Sequence, residues 1–292
     1  MLNFLPQITR VILSVFILLL IFLHPTGSLK AQTAGLVGHW TFDEGSGSTA
    51  GDSSGNNLTG SISGATWTVG KTGNALNFPG GSYVNLGSPS ALDNIGAFTW
   101  SAWVNPGTLT SSQGPIVEKG SGSNQKKTFY INSSAGSSAR RVTAKVKAGT
   151  VNAYSESVNN TYTSNIWDHW TITYEDAGDR KIHIYKNGIE VSYITQTPAS
   201  GTIVDDSTDS MYFGATPSTA FYTFNGVIDD VRIYNRVLSL SEVQSLANAR
   251  GGGSTPLPTD TTAPTTPTGV TATAVSASQI NLTWAASTDN VG

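Results

Sequence analysis

The stretch 224–239, FNGVIDDVRIYNRVLS, constrains the fold of this chain more than any other segment of similar length. Its apolar residues alternate as in a β-strand, so that Val231 and Ile233 share one face with Asp229, and Asp230 takes the other. A carboxylate among buried strand neighbours is costly unless it is paired, hydrogen-bonded or bound to a metal. The pattern therefore predicts a long strand in which Asp229 has a specific partner.

The composition favours an all-β fold. Only 12% of the 292 residues are charged, Gly is abundant (31), and turn-forming residues separate short apolar runs. Asn187-Gly188 indicates a tight hairpin, because both residues accept a positive φ. The number of short strands exceeds that of an immunoglobulin sandwich and fits a two-sheet antiparallel jelly-roll sandwich. The predicted strands are 36–42, 76–78, 83–86, 98–105, 116–119, 128–131, 142–146, 170–174, 181–186, 189–193, 210–213 and 224–234.

Residues 1–34 have the features of a secretory signal peptide. Arg10 precedes an apolar run over 11–23, and the small residues Ala31 and Ala34 follow a short polar stretch. A membrane-spanning helix needs about 20 apolar residues, and this run is shorter. We therefore predict export with cleavage near Ala31 or Ala34, and a retained membrane anchor is the alternative.

The charge of the mature chain argues against nucleic acid as a partner. Without Arg10 and Lys30 the chain carries 14 basic and 19 acidic residues, a net charge of −5, and no basic patch. It has no cysteine, so an exported domain of this kind is held by its core and, where one binds, by a metal ion.

Residues 35–249 are predicted to form one domain that ends in a short helix. Ser239 and Glu242 match a capping box, and Val243, Leu246 and Ala247 then form an apolar stripe.

A Gly-, Pro- and Thr-rich linker is predicted over 250–268. The alternating residues of 269–292 resemble the first two strands of a fibronectin type III domain, with Trp284 as its early core tryptophan. A complete sandwich of this kind needs about 100 residues. We therefore expect 269–292 to be a truncated second β-sandwich.

Four segments resemble, in the same order, the LamG-like jelly-roll family of the concanavalin A-like lectins and glucanases. They are GLVGHWTFDEGSG with its DSSGNN loop, FTWSAWVNP, NIWDHWTITYEDAGDRKIHIYKNG and FNGVIDDVRIYNRVLS. Together they span most of 35–248. The resemblance implies a two-sheet jelly roll and a role in binding.

The acids near the ends of the domain predict a structural Ca²⁺ site. Asp43 ends the first strand, Asp52 and Asn56 lie in the DSSGNN loop, and Asp229 lies in the last strand. Ca²⁺ prefers such oxygen ligands, and the family resemblance implies a calcium near Asp43 and Asp229. Alternatively, Asp52 and Asn56 are turn residues, and Asp229 pairs with Arg232 or with an amide. A second acidic group, Asp205, Asp206 and Asp209, is expected in a solvated loop.

The sequence predicts no catalytic site. The six Glu residues are far apart in sequence, and the E-x-D-x-x-E pattern of β-glucanases is absent. The histidines His39, His169 and His183 have no metal-ligand spacing and are interpreted as structural or surface residues.

Aromatic residues predict a sugar-binding surface. Trp40, Trp100 and Trp170 follow the strand alternation and are expected in the core. Aromatic residues in loops are better placed to stack on sugar rings. The predicted ligand-binding residues are Tyr154, Tyr162, Phe221 and Tyr222.

These observations predict a secreted or cell-surface, non-catalytic carbohydrate-binding or adhesion module of a larger protein, with polysaccharide or glycan as its partner. A structural spacer, or a domain that binds surface proteins, is one alternative. An accessory domain of a polysaccharide hydrolase is another.

Overall fold

The computed structural model describes residues 33–108, 113–120, 124–133, 139–215, 223–249, 268–276 and 279–285. The chain divides into two compact units, Met1–Gly251 and Gly252–Gly292. The predicted signal peptide up to residue 32 and the linker residues 250–267 lie outside the described residues.

The first unit is an antiparallel two-sheet sandwich, which confirms the predicted fold class. Its eight-stranded sheet has the order β14-β13-β12-β7-β17-β5-β4, with β1 also paired to β17. Its nine-stranded sheet has the order β15-β11-β10-β9-β8-β16-β6-β3-β2. The elements are β1 (Leu36–Trp40), β2 (Thr49–Ala50), β3 (Gly60–Ser63), β4 (Thr66–Val69), β5 (Asn74–Phe78), β6 (Tyr83–Gly87), a 3-10 helix (Ser90–Leu92), β7 (Ala97–Pro106), β8 (Gln113–Lys119), β9 (Lys127–Ser133), β10 (Arg140–Val146), β11 (Ala153–Ser157), β12 (Asp168–Glu175), β13 (Ile182–Lys186), β14 (Ile189–Glu190), β15 (Tyr193–Thr197), β16 (Met211–Phe213), β17 (Gly226–Tyr234), α1 (Leu240–Ala249), β18 (Thr268–Ser276) and β19 (Gln279–Ala285).

The core lies between the two sheets, where alternate residues of each strand meet. Trp40, Trp100 and Trp170 are all buried there, as predicted. Phe213 of the nine-stranded sheet packs edge-on against Trp40, with ring centroids 5.0 Å apart.

A β-bulge interrupts the alternation of β17. The pairing with β7 shifts between Asp229 and Arg232, and Asp230 has a positive φ of 50°. Ile228 therefore faces the core before the bulge, and Val231 and Ile233 face it afterwards. The prediction that Asp229 shares a face with Val231 and Ile233 is wrong, because the extra residue changes the parity.

Helix α1 begins at the predicted capping box. The Ser239 amide donates to Glu242 Oε2 at 2.8 Å, and the Glu242 amide donates to Ser239 Oγ at 3.4 Å. Val243 and Leu246 pack against Tyr234 of β17, on the outer side of the eight-stranded sheet. None of the helices in the described ranges is long and apolar enough to cross a membrane.

The prediction that Asp206 lies in a solvated loop is wrong. This residue is fully buried, and its carboxylate forms an ion pair with Lys127 and lies 3.7 Å from Lys119 Nζ. Asp205 is exposed and caps the turn by accepting the Ser207 amide at 3.0 Å. Sequence neighbours in one acidic run thus have opposite environments.

In the second unit, β18 and β19 form a two-stranded hairpin. Ala272 pairs with Leu282, and Thr271 pairs with Thr283. The alternation places apolar residues on one face and threonines on the other, and Trp284 is 59% exposed.

We expect Asp206→Ala to lower the free energy of unfolding by about 3–5 kcal/mol, because it leaves a buried ammonium group without its carboxylate. Chemical denaturation measures the change. Asp205→Ala, next to it in the sequence, is the control and should have a much smaller effect. Equal effects of the two substitutions would contradict the buried ion network.

Candidate functional site

Two of the predicted calcium ligands hold the same turn, which joins β4 to β5. Asp229 Oδ2 accepts the backbone amides of Lys71 at 3.0 Å and Thr72 at 3.3 Å. Asp43 Oδ1 accepts the amide of Asn74 at 3.1 Å. Gly73 in this turn has a φ of +65°, and a side chain there would clash with the Asp43 carboxylate. The first and last strands of the domain therefore bring Asp43 and Asp229 to one turn. Asp229 accepts backbone amides there, which was one of the pairings considered from the sequence.

Asp52 stabilises a different turn. Its carboxylate accepts the amides of His39 at 2.9 Å, Ser54 at 2.8 Å and Leu58 at 3.0 Å. Partial burial acts to raise the pKa of Asp52, but these hydrogen bonds outweigh it and hold the pKa below its ordinary value. Asn56 donates its side-chain amide to the Val37 carbonyl at 2.8 Å. Asp52 and Asn56 thus act as the turn residues of the alternative interpretation.

The fit to calcium is therefore limited to Asp43 and Asp229. Asp52 and Asn56 bind backbone groups of a different turn, so they do not join Asp43 and Asp229 at the turn 70–74. Within the described ranges, no three His, Cys, Asp or Glu side chains come together in a way that could hold a metal. Calcium at the turn 70–74 remains a prediction.

The adjacent acid, Asp230, forms a separate buried network. Its Oδ1 lies 2.6 Å from His39 Nε2 and 3.2 Å from Arg232 Nε. His169 lies fully buried against Trp103, and burial lowers its pKa to about 4. His183 lies 2.7 Å from Glu190 Oε1, on the surface. These contacts confirm the structural or surface roles predicted for the histidines.

A different cluster forms on the outer face of the nine-stranded sheet, whereas α1 packs on the other sheet. The strand registers align seven residues on neighbouring strands β6, β16, β8, β9, β10, β11 and β15. We name this alignment the cross-strand row. It consists of Asn85, Tyr212, Glu118, Thr128, Lys145, Tyr154 and Thr197.

The middle of the cross-strand row is recessed. Glu118 and Thr128 are 1% and 0% exposed, although they face away from the core. Tyr212 and Tyr154, on either side of them, remain partly exposed. The two tyrosines stand four interstrand spacings apart, about 19 Å along the sheet. The cross-strand row thus has buried polar residues at its middle and a partly exposed tyrosine on either side.

Glu118 is only partly ionised near neutral pH. Burial raises the pKa of Glu118 to about 7, against the opposing effects of a hydrogen bond from Gln125 and of the nearby Lys145. Gln125 Nε2 donates to Glu118 Oε2 at 3.0 Å. Burial also lowers the pKa of Lys145. Lys145 is partly exposed, so its amino group can donate hydrogen bonds to a ligand.

Of the four predicted ligand-binding residues, Tyr154 and Tyr162 lie in the described ranges, and their environments differ. Tyr154 belongs to the cross-strand row and is partly exposed. The predicted exposure of Tyr162 is wrong, because its ring is 1% exposed in the core and its hydroxyl donates to the Asn132 carbonyl at 3.2 Å. Phe221 and Tyr222 lie outside the described residues.

Sequence reasoning missed Tyr212 and Glu118 as members of a site, and it placed Tyr154 in a loop. Strand β11, AYSES, buries only Ala153, Ser155 and Ser157, so its inward face lacks the apolar residues that mark a strand. The alternation of small residues with larger polar ones in AYSES was the signal that could have identified this strand.

Two antiparallel sheets packed face to face define a jelly-roll sandwich. Residues 78–244, more than half of the chain, match the Laminin_G_3 family, described as the concanavalin A-like lectin/glucanases superfamily. The chain belongs to this family.

One curated relative is adhesion G-protein coupled receptor V1 of Danio rerio, which is 28% identical over 183 residues. The match covers 60% of this chain and 3% of the receptor, so the chain corresponds to a small part of that protein.

Solved structures show the same fold at low identity. Domain 4 of AbnA, an extracellular arabinanase of Geobacillus stearothermophilus, in complex with arabinotriose, has a TM-score of 0.53 and 20% identity, and covers 74% of this chain and 99% of its own. The binding domain of Paraclostridial Mosquitocidal Protein 1 has a TM-score of 0.56 and 18% identity, and the match covers 75% of this chain and 53% of that domain's chain. Trypanosoma rangeli sialidase has a TM-score of 0.54 and 19% identity, and the match covers 74% of this chain and 33% of the sialidase chain.

We expect Glu118 to make stability depend on pH. Its folded pKa of about 7 lies above the ordinary value of 4.5, so the folded state holds this proton more tightly than the unfolded state. The contribution of Glu118 to the free energy of unfolding therefore falls by up to about 3 kcal/mol as pH rises from about 4.5 to about 7. Denaturant unfolding of wild type and Glu118→Gln at several pH values measures this change.

In Glu118→Gln this decrease should disappear, because the amide does not titrate. Glu175→Gln, at an exposed position of the other sheet, is the control and should follow the wild-type pH profile. Identical profiles for wild type and Glu118→Gln would show that Glu118 is not the titrating group.

Proposed function

We propose that this domain is an extracellular, non-catalytic carbohydrate-binding module of a larger protein, and that its glycan lies along the cross-strand row. The observation that carries the proposal is the cross-strand row, in which the partly exposed Tyr212 and Tyr154 flank polar residues on the outer face of the nine-stranded sheet. An aromatic ring at each side and hydrogen-bonding groups between them match the alternating C–H and hydroxyl surfaces of a sugar chain.

The tyrosines stack on sugar rings, and the partly exposed Lys145 between them donates hydrogen bonds to hydroxyl groups. Few side chains of the row are exposed, so a single module binds with modest affinity. Tandem modules in a larger protein then raise the overall affinity through effective concentration.

The spacing of acids supports a non-catalytic role. Glu118 and Glu156 lie on β8 and β11, which are three interstrand spacings apart, about 14 Å. Two-carboxylate glycoside hydrolysis requires carboxyl groups about 5–9.5 Å apart.

The comparisons support a sugar as the ligand. The matching family is named for lectins and glucanases, and the AbnA domain of the same fold was determined with arabinotriose. These likenesses indicate the class of ligand, and the identity of the sugar follows from binding assays.

The proposal includes export and a modular architecture. Residues 1–34 act as a secretory signal, and 269–292 are part of a fibronectin type III domain. The apolar face of their hairpin exposes Val270, Leu282 and Trp284. Calcium, bound near Asp43 and Asp229, stiffens the turn 70–74.

A second candidate function is adhesion through a protein partner. The observation in its favour is the match to an adhesion receptor. Binding to a cell-surface protein together with silence on a glycan array would favour this function.

We expect Tyr154→Ala and Tyr212→Ala each to weaken glycan binding about 3- to 10-fold, since an aromatic stacking contact contributes about 0.5–1.5 kcal/mol. A glycan array identifies the ligand, and titration calorimetry with the strongest hit measures the affinity of each variant.

Tyr185→Ala is the matched control, because Tyr185 is a partly exposed tyrosine on the outer face of the other sheet. It should bind the glycan like wild type, and melting curves establish that all three variants are folded. Unchanged affinity in both Tyr154→Ala and Tyr212→Ala would place the ligand elsewhere.

We expect Ca²⁺ to raise the midpoint of thermal unfolding by several degrees relative to EGTA, because a ligand at 100 times its Kd adds about 2.7 kcal/mol. The shift should vanish in Asp43→Ala and Asp229→Ala. It should persist in Asp52→Asn, whose carboxylate holds a different turn. No shift in wild type would exclude a stabilising calcium and leave the glycan proposal standing.

A further inference from the structure

A buried network of two lysines and two aspartates lies where the nine-stranded sheet meets two loops. Lys119 and Lys127 are paired residues on β8 and β9. Asp93 follows the 3-10 helix, and Asp206 lies in the loop between β15 and β16. Neither the glycan proposal nor the turn near Asp43 uses this network.

Each lysine of the network has its own carboxylate. Lys119 Nζ lies 2.7 Å from Asp93 Oδ1, and Lys127 Nζ contacts Asp206 Oδ2. A weaker contact of 3.7 Å joins Lys119 Nζ to Asp206 Oδ1. The side chains of Lys119, Lys127 and Asp206 are 0–3% exposed, so solvent has almost no access to the pair Lys127–Asp206.

We infer that Lys127 and Asp206 condense into an intramolecular isopeptide bond between Lys127 Nζ and Asp206 Cγ. The geometry carries this inference, because it places a buried amine against a buried carboxyl group whose other oxygen already accepts the Asn94 amide.

The amine is prepared as a nucleophile by its surroundings. Burial lowers the pKa of Lys127, with the nearby carboxylate of Asp206 opposing the shift. Only the uncharged amine can attack a carbonyl carbon, and burial favours that form.

The carboxyl group is prepared as an electrophile. Its Oδ1 accepts the Asn94 amide at 2.6 Å and faces the ammonium group of Lys119 at 3.7 Å. These groups stabilise the negative charge that develops on Oδ1 when the carbon becomes tetrahedral. The Asn94 side chain in turn accepts the Asp206 amide at 3.1 Å, which fixes the loop in place.

The reaction balances without a co-reactant. The ion pair transfers one proton from Lys127 Nζ to Asp206 Oδ2, which gives an amine and a carboxylic acid. Nζ then attacks Cγ, a second proton moves from nitrogen to Oδ2, and Oδ2 leaves as water. The C–O bond breaks, the C–N bond forms, and the amide nitrogen keeps one hydrogen.

Burial also favours the product. A buried ion pair carries a desolvation penalty for each of its two charges, whereas the neutral amide carries the smaller penalty of a polar group. The remaining pair, Lys119 and Asp93, stays balanced, so condensation leaves no uncompensated charge. In a chain without cysteine, the bond would join positions 79 residues apart and limit the freedom of the unfolded chain.

The test is the intact mass of the purified full chain under denaturing conditions, compared with the mass of the sequence from its observed N-terminus. We expect the protein to be lighter by one water molecule. Proteolysis and tandem mass spectrometry should give a branched peptide that joins Lys127 to Asp206. A wild-type chain with its full mass would overturn the inference and identify the pair as an ordinary ion pair.

Variants locate the bond. Lys127→Arg keeps the charge but cannot form the amide, and Asp206→Ala removes the carbon that is attacked, so both should have their full sequence mass. Lys126→Arg is the matched control, since Lys126 pairs with Asp209 at 3.3 Å next to the network, and it should still lose one water. Loss of water in Lys127→Arg would also overturn the assignment. Because the mass of wild type decides the outcome, the test holds even for a variant that folds poorly.

Discussion

The bulge at Asp229 and Asp230 is the constraint on which the rest of the domain depends. On one edge, β17 pairs with β7; on the other edge it pairs first with β5 and then with β1. The two acids lie at the change from β5 to β1. Asp229 binds the turn that leads into β5, and Asp230 binds His39 of β1. The bulge thus lies where β17 changes its partner from β5 to β1, and its two acids tie both partners to this strand.

The two outer faces of the sandwich have different tasks. On the eight-stranded sheet, helix α1 and the buried network of Asp230 with Arg232 stabilise the fold. On the nine-stranded sheet, Glu118 and Thr128 lie buried in a polar row between the partly exposed Tyr212 and Tyr154. The sequence of this outer face can therefore vary without disturbing the strand that closes the domain.

Buried charge recurs through this domain, and each instance has a partner of the opposite sign or an amide. Asp206 is paired with Lys127, Asp230 with Arg232, and Asp229 with two backbone amides. This pairing follows from the high cost of an isolated charge in the core. Because of this pairing, several of the few charged residues can lie in the interior.

The alternation of apolar residues determined the all-β fold, the core tryptophans and the long strand β17, because a period of two can serve only a sheet with one buried face. The Ser239–Glu242 pattern determined the start of α1, because capping is local. The tertiary structure alone decided the bulge, the burial of Asp206 and the alignment of Tyr154 with Tyr212 and Glu118. These features depend on which strands become neighbours and in which register, and residues far apart in sequence meet only when the sheet forms.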